Sequence, residues 1–422
     1  MTQQLPANWK LVRIQECCEL NPRLNKSTIP DSKLVHFVPM PAVEALVNRV
    51  NVSSTRSFGD VKKGYTPFKT QDVIFAKITP CMENGKIAVV PHLDHELAFG
   101  STEFHVIRSS TKILPMWVFY YLSSQNYRSQ AEHNMTGAVG QRRVPIDFIA
   151  QSEIPLPPLD EQKRIVAKIE ELFSELDAGE ANLRKARAQL GVYRQSLLKQ
   201  AFEGKLTDKW RAERPDREIE WKWCQLSNIA EISGGLTKNP KREDSSLRIP
   251  YLRVANVYAN ELRLDEIKDI GVTASELEKV RLIKGDLLIV EGNGSLDQIG
   301  RVAEWNGAIQ NCGHQNHLIR ARCYKNTFST FILMFLISPQ GRNIIEKEAA
   351  STSGLHTLSV SKISRLQVPY CSLVEQQEIV RILDEQFTAI EQNGREIDQA
   401  LKRSEALRQS ILVNAFKGVL HE

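Results

Sequence analysis

Apolar residues recur along two long stretches of the chain at alternating spacings of four and three positions, which is the pattern of a helix that packs along one seam. The stretches are residues 161–206 and 375–420. Polar residues at Gln386, Asn393 and Ser404 interrupt the second seam and favour one specific partner over self-association. The apolar seam positions are Ile165, Ile169, Leu172, Leu176, Leu183, Leu190, Leu197, Ile379, Leu383, Ile390, Ile397, Leu407 and Ile411.

Helix boundaries are marked at both ends of each stretch. Pro157-Pro158 prevents helix before the first stretch, and Ser372 with Glu375 forms a capping-box pattern at the second. Gly204 and Gly418 lie near the ends of the two stretches, as expected for residues that close a helix. The pattern therefore predicts two helices with defined starts and stops.

A continuous helix over the first stretch would be about 69 Å long, because each residue adds about 1.5 Å. Gly179 in the first seam and the Asn393-Gly394 pair in the second could bend or break these helices. The length of about 69 Å is therefore the greatest that the first helix would reach if it is unbroken.

The two stretches are copies of each other, since they align without a gap over 46 positions, of which 15 are identical. The copy extends upstream, where Asp72 parallels Asp286 at an offset of 214. In the same way, His105-Val-Ile-Arg108 is matched with His317-Leu-Ile-Arg320 at an offset of 212. The chain is therefore predicted to contain one structural unit twice.

A duplicated chain of this kind can bring its two helices together as an antiparallel coiled coil. The prediction is a pseudo-twofold molecule with one globular domain at each end of the helix pair. The alternative is that each helix packs separately on its own domain.

The globular halves, residues 1–155 and 216–368, mix short strand-like runs with helical stretches and turns, so the predicted fold class is α+β. Asp208–Glu220 is charged and poor in apolar residues, and it is predicted to be a linker or an exposed turn. The clearest elements are strands at Val73–Ala76 and Leu287–Val290 and helices at Met116–Ser124 and Thr330–Ser338.

The amino-acid composition indicates what type of protein this is. Apolar residues make up 42% and charged residues 25%, as in ordinary globular proteins. The net charge of +5 permits nucleic-acid binding without requiring it. Seven scattered cysteines do not suggest a disulfide framework, and the N-terminal sequence does not resemble a signal peptide, so a cytoplasmic protein without a membrane partner is expected.

The familiar catalytic motifs are missing. The segment Asn84-Gly85-Lys86-Ile87 retains only the Gly-Lys pair of a phosphate-binding loop, and Pro157-Pro158-Leu159 does not match the Pro-Pro-Tyr/Phe sequence of adenine methyltransferases. We therefore expect neither catalysis nor a bound cofactor.

The set Cys312, His314, His317 and Cys323 has ligand types that suit zinc, but its spacing is not that of a standard finger. We therefore expect no metal site.

Polar clusters in predicted loops of both halves have the side chains that read base edges in DNA. Each residue taken singly is also consistent with an ordinary solvated group. The candidate DNA-binding residues are Lys77, Thr79, Asn84, Lys86, Gln141, Arg142, Arg143, Arg253, Asn256, Asn293, Ser295, Gln298, Arg301 and His356.

The order of elements resembles the specificity subunit of type I restriction-modification systems over essentially the whole chain. The residues that carry the resemblance are the Trp-Lys pairs at Trp9 and Trp221, Ile154-Pro-Leu-Pro-Pro-Leu-Asp-Glu-Gln162, Gln195-Ser-Leu-Leu-Lys-Gln-Ala-Phe-Glu-Gly-Lys-Leu-Thr207 and Gln409-Ser-Ile-Leu-Val-Asn-Ala-Phe-Lys-Gly418. One departure is that Val368-Pro-Tyr-Cys-Ser-Leu-Val-Glu-Gln376 lacks the Pro-Pro pair.

The resemblance implies two target recognition domains, residues 1–155 and 208–368 with its linker, and two helical conserved regions, residues 156–207 and 369–422. It also implies a non-catalytic subunit that binds double-stranded DNA at a bipartite, asymmetric site. Two modification subunits would supply S-adenosylmethionine and adenine methylation, and restriction subunits would add ATP- and magnesium-dependent translocation and cleavage.

Two other classes of function remain open from the sequence. A coiled-coil scaffold without DNA readout explains the helices but not the two diverged domains. A self-contained DNA methyltransferase or nuclease lacks its motifs.

Overall fold

The computed structural model describes residues 5–214, 221–292, 298–349 and 357–420. The first half of the chain alternates short strands and helices and ends in one long helix. Its elements are β1 (Lys10–Arg13), α1 (Ile14–Cys17), β2 (Cys18–Leu20), β3 (Leu34–Val38), β4 (Thr55–Ser57), α2 (Phe58–Val61), β5 (Thr66–Lys69), β6 (Val73–Ala76), β7 (Ile87–Val89), β8 (Leu97–Gly100), β9 (Phe104–Ser109), α3 (Pro115–Ser123), α4 (Gln125–His133), α5 (Ile146–Gln151), β10 (Glu153–Leu156) and α6 (Leu159–Phe202).

The second half repeats this order and also ends in a long helix. Its elements are α7 (Asp208–Ala212), β11 (Lys222–Gln225), β12 (Ala230–Ser233), β13 (Arg248–Leu252), β14 (Val257–Tyr258), β15 (Glu261–Leu262), β16 (Lys268–Gly271), α8 (Ala274–Val280), β17 (Leu287–Val290), β18 (Val302–Glu304), β19 (Gly313–His314), β20 (Leu318–Cys323), α9 (Ser329–Ile337), α10 (Pro339–Ala349), α11 (Val360–Ser364), β21 (Gln367–Tyr370) and α12 (Leu373–Phe416). The predicted α+β class is confirmed, and the four elements predicted above are β6, β17, α3 and α9.

The chain packs into two compact units that do not coincide with its two halves. The first unit contains the chain up to Leu183 together with the chain from Asp398 onward, and the second runs from Arg184 to Ile397. Each unit therefore combines one globular domain with parts of both α6 and α12.

The two globular domains share one sheet topology. A four-stranded sheet has the order β2-β9-β6-β7 in the first domain and β12-β20-β17-β18 in the second. In both domains the first strand also pairs antiparallel with the last, as β1 with β10 and β11 with β21. The parallel pairing of β3 with β8 is repeated by β13 with β19. The internal repeat predicted from the sequence therefore extends to strand pairing.

The structure corrects one alignment between the halves. Val73 pairs with Ile107 and Leu287 pairs with Ala321, so β9 and β20 correspond at an offset of 214, and the offset of 212 for His105-Val-Ile-Arg108 is wrong by two residues. Side chains in a strand alternate between two faces, so a shift of two preserves the pattern that guided the alignment.

A buried ion pair fixes the correct register. The guanidinium of Arg108 donates to both carboxylate oxygens of Asp72 at 2.8 Å, and Arg322 does the same with Asp286. Both aspartates are almost fully buried. Arg322, rather than Arg320, is therefore the counterpart of Arg108.

Each long helix is fastened to a domain at its first turn by a buried glutamine. Gln376 accepts a hydrogen bond from the Phe328 N–H at 2.8 Å and donates to the Cys371 carbonyl oxygen at 2.8 Å. Gln162 likewise accepts from the Leu114 N–H at 2.9 Å, and it donates to the carbonyl oxygens of Lys112 and Pro157. Because both glutamines are fully buried, they satisfy backbone groups that water does not reach.

The preceding glutamate holds the tryptophan near the start of each domain. The indole N–H of Trp9 donates to Glu161 at 2.9 Å, and that of Trp221 donates to Glu375 at 3.0 Å. Glu375 also accepts from Arg211, which lies in α7. This contact explains why the predicted linker Asp208–Glu220 begins with a short helix. Residues 215–220 of that linker lie outside the described residues.

The predicted helix boundaries agree with the structure. The helix α6 begins directly after Pro157-Pro158, and the Ser372 hydroxyl accepts the Glu375 N–H at the start of α12. Gly204 and Gly418 have positive φ values of 74° and 71° just beyond the helix ends. Both helices run 44 residues without a break, so neither Gly179 nor the Asn393-Gly394 pair interrupts its helix.

The last turn of each helix packs on an aromatic helix of a domain. Phe416 lies with its ring centroid 4.7 Å from that of Trp117 in α3. Phe202 lies 5.3 Å from Phe331 in α9, at the equivalent position. Each domain is thus completed by the start of one long helix and the end of the other.

Within each unit the segments of α6 and α12 run antiparallel. In the first unit Glu180 accepts from Ser404, and Asp177 pairs with Arg408 further along α12. In the second unit the Tyr193 hydroxyl donates to Gln386 at 3.2 Å, and the guanidinium of Arg194 lies 4.0 Å from the ring centroid of Phe387. The partner of each helix is therefore the other copy in the same chain.

The apolar seam positions named above are buried or partly buried except Leu407. Leu407 is 50% exposed, and Arg408 instead turns toward α6, where its guanidinium lies 5.2 Å from the ring centroid of Phe173. Asn393 is also exposed, whereas the neighbouring Gly394 is buried. Beyond Ile390, Gly394 and Arg408 therefore face α6 in place of Asn393 and Leu407, while Ile397 and Ile411 keep their predicted positions. The Arg187 side chain lies against Gly394, where a Cβ would come within 2.5 Å of an Arg187 nitrogen.

Among the helices of the described ranges, none combines the length and the apolar character needed to cross a bilayer.

We predict that Gln376→Leu lowers the free energy of unfolding by about 2–4 kcal/mol, because it leaves the Phe328 N–H and the Cys371 carbonyl without buried partners. The matched control is Gln377→Leu, at the exposed neighbouring position, which should change the free energy by less than about 0.5 kcal/mol. Urea unfolding of the purified chain measures both. Equal effects of the two substitutions would contradict the fastening role.

Candidate nucleic-acid interface

The structure brings three loop segments of the first domain together, and two of them carry the predicted DNA-binding residues. One follows β6, the second ends at the start of β9, and the third precedes α5. The Thr79 N–H donates to the Arg142 carbonyl, and Ile78 forms an antiparallel bridge with Arg143. The predicted residues Lys77, Thr79, Arg142 and Arg143 therefore lie on one framework.

Arg143 is held by a carboxylate from across this framework. Its Nε and one Nη donate to the two oxygens of Glu103 at 2.9 and 2.8 Å. The guanidinium lowers the pKa of Glu103 below its ordinary value, and the nearby charge of Lys77 acts in the same direction. The Arg143 side chain remains 42% exposed, so the pair presents an oriented cation at the surface.

Arg142 is held more loosely. Its guanidinium lies 3.9 Å from both Glu83 and Glu132, and its side chain is 39% exposed. The Thr79 hydroxyl donates to Glu83 at 2.8 Å. Because exposed pairs at this distance contribute little energy, Arg142 can exchange its carboxylates for a phosphate or a base at small cost.

The other predicted residues of the first domain divide into two groups. Asn84 and Gln141 are exposed at loop positions. Lys86 instead donates from Nζ to the carbonyl oxygens of Met40 and Val43, at 3.1 and 2.9 Å. Its ammonium stabilises the neighbouring loop, and Lys86 is therefore not counted among the residues proposed to contact DNA.

The second domain places two of its candidates, Arg253 and Asn256, directly after β13. Asn256 is buried, and its amide donates to the carbonyl oxygens of Arg263 and Glu266. Arg253 donates to the carboxylate of Glu266 at 3.2 Å. Asn256 therefore organises this loop, and the Arg253 side chain is 22% exposed beside it. Three further candidates, Asn293, Ser295 and His356, lie outside the described residues.

An aromatic ring between two arginines forms a second polar cluster in this domain. The guanidinium carbons of Arg263 and Arg301 lie 3.9 and 5.0 Å from the ring centroid of Tyr258. Arg301 also donates to the side-chain oxygen of Gln298 at 3.3 Å. Two stacked cations beside an aromatic ring suit contact with phosphate or bases.

Sequence reasoning missed Glu103 and Tyr258 as members of these clusters. Glu103 lies 40 positions from Arg143 in the chain, and no local pattern connects the two. Aligning the halves at an offset of 214 would have drawn attention to Glu103, because the residue at its position in the second half is His317. No comparable signal exists for Tyr258.

The potential zinc ligands do not form a site. His314 is fully buried, its Nδ1 lies 3.1 Å from the Val280 carbonyl, and burial lowers its pKa to about 4. Burial raises the pKa of Cys312 to about 12, and His317 lies 2.9 Å from the carboxylate of Glu291. Across the described ranges, no group of three or more His, Cys, Asp or Glu residues is placed to hold a metal ion.

Comparison with known proteins identifies the family. The family model described as the type I restriction modification DNA specificity domain matches residues 6–185 and again residues 218–403. The specificity subunit of the type I restriction enzyme EcoKI from Escherichia coli strain K12 is 30% identical over 419 residues, which cover 91% of this chain and 89% of that protein. The StySPI specificity subunit from Salmonella potsdam is 27% identical over 431 residues, covering 94% and 91%.

Solved structures share the fold. The HsdS subunit from Thermoanaerobacter tengcongensis superposes with a TM-score of 0.66 at 22% identity, over 99% of both chains. A chain from a structure concerned with complex assembly and conformational transition of the type I R-M system gives a TM-score of 0.73 at 22% identity, over 99% of this chain and 100% of that one. The two family matches fall on the two copies of the repeat, and with the curated relatives they show that this chain belongs to the family of type I restriction-modification specificity subunits.

Proposed function

We propose that this chain reads a bipartite, asymmetric DNA site, with one globular domain on each half-site. The observation that carries the proposal is that one framework occurs twice with different polar side chains on its loops. A duplicated scaffold with unlike loops suits two different sequences, whereas a structural scaffold has no need for this divergence. The family membership supports the same function.

In the first domain, Lys77, Arg142 and Arg143 supply cations, and Asn84 and Gln141 supply amides for base edges. In the second domain, Arg253, Arg301 and Gln298 take these roles beside the Tyr258 ring. Lysine and arginine contacts to phosphate would set the position of each domain, and hydrogen bonds to base edges would specify sequence. Because Arg142 is held loosely, with its guanidinium 3.9 Å from two carboxylates, it would exchange these partners for phosphate, whereas Arg143 would keep Glu103 as its partner.

The long helices would set the length of the unread spacer between the half-sites. Each helix contributes residues to both units, and its 44 residues run without a break. Uninterrupted helix is a stiff element whose length is fixed by the number of residues. Its starting turn is also fixed in rotation by the buried glutamines.

The chain itself would perform no catalysis in this proposal. Two modification subunits would bring S-adenosylmethionine for adenine methylation, and restriction subunits would bring ATP- and magnesium-dependent cleavage. Binding of two modification subunits is supported by the repeat, because each unit offers an equivalent surface of domain and helices. The assembly would act on double-stranded DNA in the cytoplasm.

The decisive experiment is single-molecule sequencing of adenine methylation in cells that express this chain with its modification subunit. Cells with the modification subunit alone are the control. We expect a new bipartite motif that depends on this chain. A well-expressed, active complex that leaves no new mark would favour a scaffold without DNA readout, and S-adenosylmethionine binding by the isolated chain would favour an enzyme.

We predict that inserting one seven-residue heptad into each long helix, after Leu183 and after Ile397, lengthens the spacer without changing either half-site. Seven residues preserve the seam and add about 10 Å of helix, which corresponds to up to about three base pairs. Methylation mapping of the purified complex on a randomised-spacer library measures the effect. Insertion into one helix only is the control, and we expect it to reduce methylation because the two seams no longer match. A changed half-site sequence would contradict the proposal that the long helices set only the length of the spacer.

A further inference from the structure

The first domain holds three polar positions on one backbone frame. The Lys77 N–H donates to the Glu103 carbonyl at 2.9 Å, and the Val144 N–H donates to the Lys77 carbonyl at 2.8 Å. An antiparallel β-bridge between Ile78 and Arg143 joins the first and third of these segments a second time. Positions 77, 103 and 143 therefore face one another from three different segments.

The second domain repeats this frame at an offset of 214. The Glu291 N–H donates to the His317 carbonyl at 3.0 Å, and the Leu358 N–H donates to the Glu291 carbonyl at 2.7 Å. Gly292 and Thr357 form the corresponding bridge. We call positions 77, 103 and 143, and their counterparts 291, 317 and 357, the two readout frames.

The side chains on the two frames are not copies. Lys77, Glu103 and Arg143 place two cations and one anion in the first frame. In the second frame the basic residue of position 77 is replaced by Glu291, the acid of position 103 by His317, and Arg143 by Thr357. The frames thus differ in charge and in hydrogen-bonding groups although their backbone bonds are the same.

Buried interactions of the same domains behave in the opposite way. The aspartate–arginine pair is copied without change as Asp72 with Arg108 and Asp286 with Arg322. The glutamine fastening of the long helices is copied as well. These buried contacts are the same in both halves, whereas the frame side chains are exchanged, so the backbone frame forms with either set of side chains.

Frame side chains are also accessible. Arg143 and His317 are 42% and 55% exposed. Of the five N–H donors of Arg143, two bond to the Glu103 carboxylate and one bonds to the Gln141 carbonyl oxygen. Two donors remain, which is the number that the O6 and N7 acceptors of a guanine require. Glu103 fixes the plane of the guanidinium, so little side-chain freedom is lost on binding.

We propose that the two readout frames are the base-reading sites of the two half-sites, with the first frame reading a guanine through Arg143 and the second reading the amino group of a cytosine through Glu291. A carboxylate matches the cytosine N4 donor in the major groove. The Glu291 carboxylate, positioned by His317, has lone pairs beyond the one that meets the imidazole. This inference rests on the proposed function and adds the six frame positions to the groups that would determine its specificity.

The test exchanges one frame for the other in the complete complex with the modification subunit. The variant Lys77→Glu, Glu103→His, Arg143→Thr carries the second frame in the first domain. Methylation mapping should show the first half-site changed at a guanine position and the second half-site unchanged. The matched control is Arg49→Thr, which removes an exposed arginine paired with Glu44 in the same domain, and it should leave both half-sites unchanged.

If the triple variant does not fold, two single substitutions test the base-reading role of the frames, because each changes one side chain to another of similar size. Arg143→Lys keeps the charge but loses the planar fork, so discrimination at one position of the first half-site should fall roughly 5- to 150-fold. Glu291→Gln should alter the second half-site alone. Thermal unfolding of each complex confirms that it is folded.

The outcomes separate this inference from the proposed function. A wild-type complex that produces no bipartite motif overturns the proposed function itself. A wild-type motif that remains unchanged in folded frame variants overturns the readout frames but leaves the proposed function intact. A uniform loss of methylation over all bases, with the motif unchanged, assigns the frames to phosphate binding and also overturns the base-reading inference.

Discussion

The attachment of each long helix at its first turn is the constraint on which the rest of the architecture depends. A helix places successive side chains about 100° apart, so fixing one residue fixes the direction of all the others. Gln162 and Gln376 are buried and bonded to backbone groups of the globular domain, and the neighbouring Glu161 and Glu375 bind an indole N–H. Together they determine which face of the helix meets its partner.

This arrangement separates the scaffold from the surface that varies. The sheet order and the Asp–Arg pair occur in both domains, and so does an aromatic contact at the helix end, with Trp117 in the first domain replaced by Phe331 in the second. Side chains on the loops at the strand ends differ between the domains in charge and in hydrogen-bonding capacity. Such a division lets loop residues change while the packing of the core and the docking of the helices stay the same.

Much of this organisation could be predicted from the sequence, because repeats, heptads and helix caps are local patterns. The predictions that were wrong concern positions where two different alignments have the same pattern of apolar residues. A strand shifted by two residues keeps its alternation, so the Arg108 counterpart was misplaced at Arg320. A heptad admits two neighbouring phases, so Leu407 was assigned to the seam in place of Arg408. The Glu103–Arg143 pair joins distant segments, and only the folded chain reveals it.

The composition of the two units has a consequence for synthesis on the ribosome. The second unit is one continuous piece of chain from Arg184 to Ile397, whereas the first also needs the residues from Asp398 onward. Phe416, which packs against Trp117 and Tyr121, is made only after the second domain. The domain that is synthesised first is therefore finished last, and its aromatic surface stays uncovered while the second domain and most of α12 are made, which gives chaperones a defined interval in which to act.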